Sequence, residues 1–179
     1  MEATLPKKVG SQTRLDTIGA IAHRWRQIRP DLDPSPLLVI GRISRIESLA
    51  DARLRPPFDA AGLAPGDFDL LAALRRQGPP HESTPSELAT NMLVTTGAAT
   101  KRIDRLEAQG LCTRRTSPLD GRGRVIALTR RGKSLVDKLM TVHLKNEADI
   151  LANLSPNQRT QLARLLALLI SALEESSAS

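Results

Sequence analysis

Aromatic side chains are nearly missing from this chain of 179 residues, which has one Trp, two Phe and no Tyr. Proteins that hold single strands or RNA stack bases on aromatic rings, so this scarcity turns any basic surface toward duplex DNA. Cysteine occurs once, as Cys112, which excludes a disulfide framework and suits a reducing cytoplasm. Histidines are few and scattered, at His23, His81 and His143, and the chain has no His-Glu-x-x-His run, nucleophile elbow or Cys/His ligand set. No catalytic residue, metal site or cofactor is therefore expected. Long apolar runs are lacking too: the longest, Leu165 to Ile170, is far too short to cross a bilayer, and the N-terminus has no apolar stretch of signal length. A soluble, cytoplasmic protein with no membrane partner is the expectation.

What the chain does have is basic charge in one place. Lys and Arg outnumber Asp and Glu by 26 to 19, a net charge of +7. Between Thr95 and Lys133 stand ten basic and three acidic residues, so this window alone carries +7 and the remainder nets to zero. Such confinement is the electrostatic footprint of a polyanion binder.

The punctuation of the chain divides it into helices. Residues 1–12 are polar and aperiodic and are expected to be disordered, as is the tail from about residue 174. Leu15, Ile18, Ile21, Ala22 and Trp25 recur at helical spacing over about 14–28, and Leu38, Ile43, Ile46, Leu49 and Leu54 mark a longer helix that ends at Pro56-Pro57. A third helix is predicted from Pro65 to about 77, stopped by Gly78. "STPSE" then starts a short helix reaching about Asn91: Thr84 caps it, Pro85 fits the first turn and Glu87 completes a capping box. A helix of residues 96–109 follows after a threonine cap and ends at Gly110. Two helices joined by a tight turn make a helix-turn-helix, and the β-prone runs "CTRRT" and "RVIALT" around a Gly-rich loop make a hairpin beside it. Two long helices close the chain, one to about 153 and one starting at a Ser155 capping box with a leucine stripe of Leu162, Leu165, Leu166, Leu169 and Leu173. The predicted fold class is mainly α with a small β-hairpin wing, a winged helix-turn-helix, and a leucine stripe outside the basic window usually finds a partner helix.

On a helical wheel centred on Ala99, Ile103 and Leu106 fall within about 40° and mark the buried side of the 96–109 helix. Gly97, Lys101, Asp104 and Ala108 face the other way, with Arg105 beside them. A small, basic outer face suits a major groove about 12 Å wide. Thr84, Thr96, Thr100, Lys101 and Arg105 are the candidate groove and phosphate contacts. Arg122 and Arg124, on the tip of the hairpin, are candidates for the adjacent minor groove, with Gly121 and Gly123 keeping the tip thin. Arg102 lies about 60° from the core centre and cannot share the outer face with Lys101, so it either lies along the domain's own surface or meets a ligand or an acidic partner beneath the helix.

The run "TPSELATNMLVTTGAATKRIDRLEAQGL", followed by "SPLDGRGRVIALTRRGKSL", resembles the MarR family of bacterial transcriptional regulators over about residues 36–173. That resemblance implies a homodimer with interlocked N- and C-terminal helices, residues 13–64 and 131–175, around a DNA-binding region of residues 65–130, binding a palindrome whose half-sites lie about one helical turn apart. It also implies a repressor that a small-molecule effector releases. A narrower likeness is to the family's urate-responsive branch, which has an extra N-terminal helix. The branch's ligand residues fall on Trp25, Asp69, Arg102 and Arg114, implying an effector that is a urate-like or phenolic anion. The chain departs from the branch in its less charged wing. Two other readings are compatible with the residues: an architectural DNA-binding protein without effector, and a winged-helix protein–protein adaptor. Cys112, beside Leu111 at the start of a strand, reads as structural rather than as an oxidant sensor.

Overall fold

Short side chains, those of Asp16, Thr84, Thr95, Thr129 and Ser155, cap the starts of five helices. The computed structural model describes residues 15–116 and 123–177. Asp120, Gly121, Arg122 and the N-terminal residues 1–12 lie outside the described residues. The chain divides into two compact units, residues 1–51 and 52–179.

In the first unit, helix α1 spans Thr17–Ile28 and helix α2 runs Leu37–Leu54 into the second. Asp16 caps α1 by accepting the Gly19 amide at 2.6 Å, and its other oxygen accepts from Arg42 Nε on α2 at 2.8 Å. Gly41 lets the two helices close: a Cβ there would stand 3.1 Å from Ile18 Cγ2. Gly19 and Ala22 are buried, whereas Ile21, Trp25 and Ile28 remain exposed. The helix starts at Thr17, a little past the expected residue 14, where the Asp16 carboxylate holds a first-turn amide.

The second unit adds helices α3 (Pro56–Ala60), α4 (Asp67–Arg76), α5 (Pro85–Asn91), α6 (Thr96–Ala108), α7 (Arg130–Ile150) and α8 (Pro156–Ser177), and strands β1 (Glu82–Ser83), β2 (Cys112–Thr116) and β3 (Arg124–Leu128). Helix α3 departs from the sequence expectation. Pro56-Pro57 does not merely end a helix but begins a new one, since proline is pre-set for a first turn. Phe58 then stacks on Phe68 of α4 with ring centroids 4.4 Å apart.

The expected hairpin is part of a three-stranded antiparallel sheet in the order β1-β3-β2. Cys112 pairs with Leu128 and Thr116 with Arg124 across β2 and β3, and Glu82 pairs with Ala127 on the far side of β3. The core gathers Phe68, Leu71 and Leu74 of α4, Leu88 of α5, Ile103 and Leu106 of α6, Ile126 of β3 and Val136 of α7. At α7, Gly132 permits the closest approach: a Cβ there would collide with the Leu111 carbonyl. Helix α8 starts at the predicted capping box, Ser155 with Gln158, and leaves Leu165, Leu168, Ile170 and Leu173 exposed.

Candidate nucleic-acid interface

The α5–turn–α6 segment is built by two threonine caps. Thr84 Oγ1 accepts the Glu87 amide while Glu87 Oε2 accepts the Thr84 amide at 2.9 Å, which closes the predicted capping box. Thr95 caps α6 through the Ala98 amide. Leu93 between them has φ 52° and an 87% exposed side chain. The turn therefore needs a left-handed residue and uses a leucine.

Helix α6 is anchored as the wheel requires. Ala99, Ile103 and Leu106 are buried, and Thr96, Gly97, Thr100 and Lys101 are exposed together on its outer side. Thr100 Oγ1 donates to the Thr96 carbonyl, so its hydroxyl is held against the helix and its methyl group is left outward. Arg124 is exposed at the start of β3, and Arg122 lies outside the described residues.

Arg105 departs from this outer set. Its guanidinium bonds a fully buried carboxylate: Nη2 donates to Asp67 Oδ1 at 2.6 Å and Nε to Oδ2 at 3.3 Å. That bond holds the Arg105 pKa above the ordinary guanidinium value. Arg102 donates Nη1 to the Gly66 carbonyl at 3.3 Å, lying so close over Gly66 (φ 79°) that a Cβ there would overlap the guanidinium. Its guanidinium therefore lies over the N-cap of α4.

The candidate ligand residues are distributed differently from one another. Asp69 is exposed on α4. Arg114 of β2 is clamped by both Asp104 and Glu107 of α6, and its own amide donates to Glu107 Oε1 at 2.9 Å. The Asp104 hydrogen bond is the leading cause that raises its pKa. This clamp ties the wing's first strand to α6. Trp25 belongs to the first unit, on α1, with 47% of its surface exposed.

Cys112 is 2% exposed, with Sγ 3.8 Å from the Ile103 carbonyl. Burial, reinforced by the charge of Glu107, pushes its thiol up to about 12. The side chain is a small core residue at the base of the wing. Among the described residues no group of His, Cys, Asp and Glu is arranged to hold a metal ion. None of the described helices is long and apolar enough to cross a membrane.

Sequence reasoning missed Asp67, Asp104 and Glu107. Asp67 stands 38 residues from Arg105, and its neighbour Asp69 is the more conspicuous acid in sequence. The signal for Glu107 and Arg114 was present as opposite charges flanking the Gly110 stop, but charge alone does not select partners.

The family model described as the MarR family matches residues 61–123. The HTH-type transcriptional regulator PecS of Dickeya dadantii is 38% identical over 149 residues, covering 83% of this chain and 90% of that protein. The chain belongs to the MarR family. A MarR family regulator from Streptomyces coelicolor, solved in complex with DNA, superposes with a TM-score of 0.71 at 23% identity, covering 79% of this chain and 89% of that one. BpsR of Bordetella bronchiseptica, whose DNA binding is regulated by 6-hydroxynicotinic acid, gives a TM-score of 0.65 at 22% identity, over 73% of this chain and 91% of that one. At these identities the two structures speak to the fold. Membership makes this chain a DNA-binding transcriptional regulator rather than an enzyme. The matched segment begins just after α3 and stops just before β3, and contains α4, α5, α6 and the Arg114 clamp.

Proposed function

We propose that this MarR-family regulator is a cytoplasmic repressor that binds a palindromic operator as a homodimer and leaves it when a small planar anion, urate-like or phenolic, is bound. The observation that carries the DNA reading is the outer face of α6, where Thr96, Gly97, Thr100 and Lys101 are exposed together over a buried Ala99-Ile103-Leu106 seam. Small residues with one cation let backbone and side chains approach base edges in a major groove. Thr84, at the N-cap of α5, and Arg124 add contacts to the flanking backbone and minor groove, and Arg122, outside the described residues, is a further candidate for the minor groove.

The dimer reading draws on the apolar residues left exposed on α1, α2 and α8, including Ile21, Ile46, Leu49, Leu165 and Leu173. A second copy would cover them, with residues 13–64 and 131–175 supplying the interface and 65–130 the DNA-binding part. The effector contacts are Trp25, Asp69, Arg102 and Arg114, the set the family resemblance supplies. Among the described residues no carboxylate pairs with Arg102, which leaves it a cation for an anionic ligand. Arg114 enters through its clamp: an anion drawn to it competes with Asp104 and Glu107 and loosens the wing from α6. BpsR, regulated by 6-hydroxynicotinic acid, is a structural neighbour answering to a small aromatic acid. Linkage of this kind is typically worth about 1–3 kcal/mol between ligand and DNA.

The test is a thermal-shift and DNA-release titration of the purified protein with urate and a panel of phenolic acids. An effector should raise the melting temperature and release DNA, and Trp25→Ala and Arg102→Ala should each abolish both effects. A protein that holds DNA unchanged at every concentration of these compounds refutes the effector reading.

A further inference from the structure

Asp67 has no exposed surface, so its charge must be met inside the protein. A buried carboxylate costs several kcal/mol unless its oxygens are bonded. Three donors meet this one: the Ala64 amide at 3.0 Å and two nitrogens of the Arg105 fork at 2.6 and 3.3 Å. Arg105 reaches inward from the side of α6, and its side chain keeps 42% of its surface exposed. One turn earlier on the same helix, Arg102 grips the Gly66 carbonyl. Helix α6 is therefore tied to the start of α4 at two successive residues, Gly66 and Asp67.

A two-pronged bond constrains direction as well as distance. Residues on a helix are about 100° apart, so a modest rotation of α6 would carry Lys101 and Thr100 off their facing toward the groove. The apolar seam of Ala99, Ile103 and Leu106 sets which side of α6 is buried, and the fork adds a directional bond to that packing. We propose that Asp67 and Arg105 are positioning residues for operator recognition: the Asp67 carboxylate fixes the rotation of α6 through the Arg105 fork, and Arg105 acts through the protein rather than by touching DNA. This rests on the reading above that α6 enters the major groove, and it replaces the groove contact that sequence assigns to Arg105.

The two roles give opposite outcomes. Lysine keeps the charge that a phosphate contact needs but cannot make the fork. The wild-type protein is first used to select a preferred duplex from a random-sequence pool. Affinities of wild type, Arg105→Lys, Asp67→Asn and the double variant are then measured for that duplex and for random duplex, across a salt series. Positioning predicts that Arg105→Lys and Asp67→Asn each weaken the selected duplex about tenfold, leave random duplex within about twofold and leave the salt slope unchanged. The double variant should be no worse than the worse single one, since both break one bond.

Retained specific affinity in Arg105→Lys, or tighter binding in Asp67→Asn through a released guanidinium, overturns the proposal. So does a lowered melting temperature with an unchanged ratio of specific to random affinity, which is what a purely structural pair would give. If Asp67→Asn does not fold, Arg105→Lys decides alone, because its side chain is partly exposed. A wild-type protein that selects no sequence defeats the DNA reading itself, an outcome distinct from any variant's behaviour.

Discussion

Cys112→Ala should remove a loss of stability that the wild-type protein suffers in alkaline solution. The folded thiol is pushed up to about 12 from an ordinary 9.0, chiefly by burial. Above pH 9 the unfolded chain gives up this proton while the folded chain keeps it. The unfolded state then binds fewer protons, so stability falls as pH rises. The contribution is fully present below about 9 and is lost progressively toward 12, at about 1.4 kcal/mol per pH unit. Between about pH 8.5 and 10 the single group should cost about 1.2 kcal/mol. The substitution itself costs about 1 kcal/mol for the missing sulfur at every pH, so the two stability curves should converge and then cross. With no tyrosine in the chain, lysine titration dominates the alkaline background and is common to both proteins. Urea midpoints at half-unit steps from about pH 8 to 10, converted with a shared slope, measure the difference. Parallel curves would refute the buried-thiol reasoning. The functional consequence is that at neutral pH the thiolate is about a thousandfold scarcer than for an ordinary cysteine, so an oxidant acting on Cys112 is a poor candidate for the effector.

Three further outcomes follow from local geometry. Gly132→Ala should lower stability by about 2–3 kcal/mol in urea unfolding, because the new methyl group meets the fixed Leu111 carbonyl and not a movable side chain. Leu93→Asn should leave stability unchanged or raise it by up to about 1 kcal/mol, since the leucine is exposed in a left-handed conformation that asparagine tolerates. Arg114→Gln should cost about 1–2 kcal/mol and speed amide exchange in β2, because Asp104 and Glu107 lose the cation they share. In about 1 M salt that difference should shrink, and a salt-independent loss would contradict an electrostatic clamp.

The parts of the fold that sequence made legible are those written in local chemistry. Thr84 with Glu87, Thr95, and Ser155 with Gln158 each start a helix where a short side chain can hold first-turn amides. Gly78 and Gly110 stop helices at φ 72° and 68°, a conformation that glycine adopts without strain. The elements that escaped depend on distant partners. Strand β1 has two residues and exists only because Glu82 and Ser83 pair with β3, more than forty positions later. Helix α3 is held by the stacking of Phe58 on Phe68. The same division runs through the site. The wheel separated Lys101 from Arg102 correctly, because burial on one helix follows from period. It could not assign Arg105, whose position beside the outer face is equally compatible with a phosphate and with a buried acid on α4. Arg114 posed the same difficulty, and its two carboxylates lie on the helix before the strand.

The central claim is that α6 reads sequence in duplex DNA. It is tested most directly by the ratio of affinities for the pool-selected duplex and for random duplex, measured at one fixed salt concentration near physiological. The account predicts a palindromic selected site bound by two copies of the chain, and a ratio of about 10³ or more that falls toward one in Lys101→Ala. A ratio near one for the wild-type protein, with a steep salt dependence, would identify a phosphate-driven architectural binder and contradict the account.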